Sequence, residues 1–89
     1  MSVLILPELL DTRYAVPFSE LLRKESEDFI LDGSHVSRVG GLCFQLLASA
    51  QQTARVRGVG FEIKNISDAM RENLLLLGGN FLLETGAGA

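Results

Sequence analysis

The chain predicts an α/β fold, and three observations carry that expectation. Short β-rich apolar runs alternate with longer stretches whose apolar residues recur at helical spacing. Glycine, proline or a capping residue punctuates nearly every boundary. A strand followed by helix–strand units in 89 residues leaves room for crossover helices of ordinary length but for no second domain. The expectation is a mixed β-sheet of about four to five strands, with three to four helices packed mainly on one face. The domain spans residues 1–84, with a flexible "TGAGA" end over residues 85–89.

The elements follow in order. "SVLILP" is a short strand stopped by Pro7. "ELLDTRYAVPFSELLRKE" places Tyr14, Phe18, Leu21 and Leu22 at helical spacing, with Asp11 or Thr12 as cap. Pro17 implies either an irregular first turn or a regular helix that begins close to Val16. "DFILDGSHV" reads as one continuous apolar strand. A helix then runs from about Gly41 to Arg57 and ends at Gly58. "GFEIKN" is the next strand. "SDAMRENLLLLGG" opens on Ser67, carries Asp68 and Glu72 in its early turns and stops at Gly78 and Gly79. "NFLLE" closes the order as a last strand.

In the central helix, Leu42, Cys43, Leu46, Leu47, Ala50 and Ala54 share an arc of about 140° at 100° per residue, the expected core stripe. Phe44 falls outside that arc, among Gln45, Ala48, Gln51, Gln52 and Arg55. It is a candidate for a partner surface, and equally for a lone exposed apolar residue.

Composition narrows the function classes. With 47% hydrophobic and 21% charged residues, the chain carries enough apolar surface to fold. Its longest apolar runs are too short to cross a bilayer, so no direct membrane insertion is expected. The N-terminus has neither the basic stretch nor the cleavage site of a secretory signal, which favours the cytoplasm. Net charge is −3, and the eight basic residues are scattered, with no stripe that would suit nucleic acid. Cys43 is the only cysteine and reads as a buried core thiol.

No metal-spaced cluster, P-loop or other cofactor motif is present, and no cofactor is expected. His35 is the only histidine. With Asp32, Ser34 and Ser37 beside it a hydrolytic site is conceivable, but residues so close on one loop rarely converge as nucleophile, base and orienter. An enzyme is not expected.

The helix from Gly41 begins where Ser, Thr, Asp or Asn would cap better, on the pair Gly40-Gly41. In this region "LDGSHVSRVGGLCFQLLASA" resembles the core motif of STAS domains, the family named for sulfate transporters and anti-sigma-factor antagonists. Asp32 and Ser34 match the end of the family's strand, and Val39 matches an Ile before its helix. The resemblance covers nearly the whole chain. It departs from the family at Gly40, where the family has Asp, at Gly41, where it has a phosphorylatable Ser or Thr, and at Cys43, where it has Gly. A glycine accepts no phosphoryl group, so the family's switch is absent from this position.

Together with "LPELLD" and "SDAMRENLLLLG", the motif looks most like the small stand-alone STAS proteins of bacterial chemotaxis gene clusters. The resemblance implies a non-catalytic signalling adaptor whose partner is a chemotaxis histidine kinase. The alternatives are a cytoplasmic STAS subunit that binds the ATPase of a lipid-transport ABC transporter, and an antagonist of an anti-sigma factor. A homodimer stays open. The expected docking surface comprises Ser34, His35, Ser37, Arg38, Gly40, Gly41, Phe44 and Gln45, with Ser34 and Ser37 as candidate phosphosites.

Overall fold

The computed structural model describes residues 3–83, so the expected tail over residues 85–89 lies outside the described residues. The α/β class is as expected. The order is β1 (Val3–Ile5), β2 (Leu9–Leu10), α1 (Thr12–Lys24), β3 (Phe29–Asp32), β4 (Arg38–Val39), α2 (Gly41–Arg57), β5 (Phe61–Lys64), α3 (Asp68–Leu76) and α4 (Asn80–Leu83). The five strands are divided between two sheets, β1-β3-β5 and β2-β4. Every pairing among the described residues is parallel.

In the larger sheet, register sets Leu4 beside Leu31 and Leu31 beside Ile63, with Phe29 beside Phe61. This alternation gives the sheet one apolar face toward the helices. Leu6, Leu10, Phe18, Phe29, Leu31, Val36, Cys43, Leu47, Met70, Leu74 and Leu82 are all but fully buried, in one continuous core. The opposite face is bare at its β1 side, where Val3 is exposed and Ile5 is 61% exposed.

The helix boundaries follow capping chemistry. Asp11 caps α1 and accepts the Arg13 N–H at 3.0 Å. Ser67 caps α3 and accepts the Met70 N–H at 3.0 Å. Gly58, at φ 74°, ends α2 in the left-handed conformation that only glycine adopts without penalty. No described helix is long and apolar enough to cross a membrane.

Several expectations are corrected. Helix α1 starts at Thr12 with Pro17 inside it, so of the two expectations for Pro17 the start near Val16 is the one corrected. Arg13 and Pro17 are both exposed, so the carbonyl that loses its amide partner to the proline ring lies on a wet side of the helix. The strand expected through "DFILDGSHV" stops at Asp32 because the Asp32 carboxylate captures the Ser34 N–H at 2.8 Å, turning the chain. A two-residue strand at Leu9–Leu10 was not expected, being too short to show periodicity.

"NFLLE" supplies helix α4 rather than a strand. Gly78, at φ 81°, reverses the chain after α3, and the Leu82 N–H then closes a turn on the Gly79 carbonyl at 2.9 Å. This folds Leu82 into the core. Within α2, Leu42 leaves the expected stripe and is 49% exposed, and Leu46 is only half-buried. Cys43, Leu47, Ala50 and Ala54 keep their places.

Candidate functional site: the entrance of helix α2

The two glycines differ in what surrounds them. Gly40 is the N-cap at φ −87° and ψ 166°, an extended conformation open to any residue. Its N–H donates to the Leu10 carbonyl at 2.8 Å, continuing the β2–β4 ladder. A Cβ there would lie 3.3 Å from the Leu10 oxygen, so the close fit favours glycine. Gly41 is the first helical residue, and a Cβ on it would meet nothing within 4 Å. Packing therefore accounts for Gly40 and not for Gly41. No side chain caps the helix, and no acidic residue occupies its first turn.

Around this entrance Arg38, Leu42 and Gln45 are exposed on the chain itself, and Leu9 is exposed on the neighbouring strand. Cys43 is buried beneath, its thiol donating to the Asp11 carbonyl at 3.4 Å. Burial pushes the thiol pKa up, and the nearby Asp11 carboxylate adds to that. The Arg13 guanidinium, 3.0 Å from Asp11, holds that carboxyl below its usual range. On the other flank the Asn73 side chain accepts the Val39 N–H at 3.1 Å, which ties α3 to β4 just before the glycines.

Phe44 is not the freely exposed residue expected. Its ring is half-buried and tilted against Phe81 at a centroid distance of 6.1 Å. Helix α4, which the sequence read as a strand, supplies that cover. Phe44 therefore anchors α4 to α2 instead of standing clear among polar neighbours.

The loop between β3 and β4 forms a second group. The Ser34 hydroxyl and N–H, and then the Asn65 amide at 3.2 Å, bond the Asp32 carboxylate and lower its pKa. Ser37 is pinned to β2, with its N–H and hydroxyl donating to the Glu8 carbonyl at 2.7 and 3.1 Å. The Ser67 hydroxyl donates to the Val36 carbonyl and fixes the loop to α3. Ser34 and His35 are exposed, and among the described residues no hydrogen bond joins the His35 side chain to Ser34, Ser37 or Asp32.

Of the expected surface, Arg38, Gly40, Gly41 and Gln45 gather at the helix entrance, and Ser34 and His35 sit on the exposed loop. Leu9 and Leu42 were missed from sequence as surface residues, whereas the third helix, Ser67 to Leu77, was the fallback surface, and at its end Leu75 and Leu77 are exposed and Leu76 is 87% exposed. The run "LLLLGG" carried the signal for the last group: four consecutive leucines cannot all face one side of a helix.

No protein-family model, curated protein or solved structure matches the chain.

Proposed function

We propose that the chain is a non-catalytic STAS-domain adaptor of bacterial signalling, working in the cytoplasm by docking on a histidine kinase of a chemotaxis system through the entrance of α2. The observation that carries this reading is Gly41. It occupies the position where the motif resemblance puts a phosphoacceptor, it has no packing reason to be glycine, and it opens onto solvent beside exposed Arg38, Leu42 and Gln45. An entrance without a side chain lets a partner come close to the backbone, and its uncapped amides offer that partner hydrogen-bond donors.

The alternatives within the resemblance, an ATPase of a lipid-transport ABC system or an anti-sigma factor as partner, use the same surface. Those relatives keep a hydroxyl at this position, and Gly41 weighs against both. A pull-down from the native cell, with the recovered protein identified by mass spectrometry, separates a kinase from an ATPase and from an anti-sigma factor. Recovery of a kinase whose binding is lost on changing Gly41 supports the reading. Turnover of a small substrate by the isolated chain overturns it.

A further inference from the structure

The other end of the same helix carries a second arrangement, independent of the docking surface. Helices α1 and α2 pack side by side and leave a cleft of about 130 Å³. Its walls are two stripes at intervals of four residues, Ser19 and Arg23 from α1 and Ser49, Thr53 and Arg57 from α2. Four-residue spacing sets these side chains one above another on each helix. The floor is apolar, formed in part by Leu22 and Phe29.

The chemistry of the walls is one-sided. No carboxylate lines the cleft, and among the described residues none is ion-paired with Arg23 or Arg57. Arg57 is held in place by donating to the Glu25 carbonyl at 2.8 Å. Among the described residues no hydrogen bond engages the three hydroxyls, which leaves them available to a ligand. Two guanidinium groups and three hydroxyls thus share a small space that no carboxylate lines, in a chain of net charge −3. The carbonyl ends of both helices oppose an anion here, but each carries only about half a charge, against a full charge on each guanidinium.

We propose that this cleft binds a phosphate group, free or as the monoester of a small molecule. Two guanidinium groups supply the bidentate donors that a tetrahedral oxyanion takes, and the hydroxyls bond its remaining oxygens. The cleft is too small for a larger ligand to enter whole. A neighbouring hollow of about 250 Å³ shares Leu22 and Phe29 and is lined by Val3, Leu4, Leu21 and Ile30 among others. It gives the organic part of a monoester an apolar bed. Lys24 and Glu25 stand at that hollow, with the Glu25 carboxylate taken up by the Glu27 N–H at 3.3 Å.

The test is an amide NMR titration of the full chain with inorganic phosphate and with phenyl phosphate, at constant ionic strength in chloride. Saturable shifts are expected at Ser19, Arg23, Ser49, Thr53 and Arg57. Arg23→Gln should weaken binding about 10-fold, whereas Arg55→Gln, an equal charge change on α2 outside the cleft, should not. Tighter binding of phenyl phosphate identifies a monoester as the ligand, and equal binding identifies free phosphate. Shifts that do not saturate, or an equal loss in Arg23→Gln and Arg55→Gln, overturn the proposal. Gly41→Asp leaves this titration unchanged, so failure here and failure of the docking reading are told apart.

Discussion

The ring of Phe44 lies so close to Gly79 that a Cβ on the glycine would sit 2.8 Å from the Phe44 Cε1 and 3.0 Å from the Leu74 oxygen. Gly79 is buried, and its N–H donates to that same Leu74 carbonyl. The contact joins the end of α3, the start of α4 and the first turns of α2. Gly79→Ala should therefore destabilise the fold by about 1–3 kcal/mol through overpacking. Urea melts check this, and in a Phe44→Ala background the cost should shrink, because the ring no longer resists. The Leu74 oxygen stays in place, so part of the cost remains.

Core truncations along α2 should rank by burial rather than by side-chain type. Leu47→Ala should cost about 2–5 kcal/mol, and Leu46→Ala clearly less. Leu42→Ala should be close to neutral, since half of that side chain already faces water. Chemical denaturation of the three variants gives the order directly. A Leu42→Ala loss equal to that of Leu47→Ala would mean that the helix is rotated about its axis.

Gly41→Asp should fold at least as well as the parent, gaining a few tenths to about 1 kcal/mol from a carboxylate in the first turn of a helix. Binding of the docking partner should fall about 10²-fold, because a new charge must be desolvated against the partner. Calorimetric titration alongside melting curves measures both. Gly40→Ala is the contrast, because its Cβ presses on the Leu10 carbonyl and should lower stability itself.

Acid and alkali should each destabilise the fold through identifiable groups. Asp11 and Asp32 have folded pKa values below their ordinary 3.8. Their contribution is present above that value and is lost as pH falls through the lower folded values. Cys43 and Tyr14 have folded pKa values raised above their ordinary 9.0 and 10.0, chiefly by burial. Their contribution is present below those values and is lost as pH rises through the folded ones. Urea midpoints across pH should show Asp32→Asn flattening the acid limb and Cys43→Ser flattening part of the alkaline limb.

Local chemistry was the most legible part of this chain. Ser67 opens and Gly58 closes its helix where capping rules put them, Asp11 is one of the two caps expected for α1, and α2 was expected from about Gly41 to Arg57, where it lies. What was not legible depended on long-range neighbours. Nothing local reveals that "NFLLE" folds back on Phe44, since a short apolar run fits a strand or a helix equally well. Leu42 falls on the arc that helical periodicity assigns to the core and is nonetheless 49% exposed, which the periodicity of α2 alone does not show. Even the members of the Gly40-Gly41 pair differ only through their neighbours in space, one held by the Leu10 carbonyl and the other facing open space.

The exclusively parallel pairing of the strands has a kinetic consequence. Val3 finds its partner at Ile30, Phe29 at Phe61 and Leu9 at Arg38, so each ladder closes only across a whole intervening helix. Among the described residues no hairpin offers a local nucleus, and loop closure precedes each of these strand contacts. On the ribosome, β3 acquires its second neighbour only after α2 and β5 have emerged, and until then one of its two hydrogen-bonding edges is unpaired. Despite its size the domain should fold more slowly than a helical bundle of equal length, with α1 and α2 forming ahead of the sheet they cover.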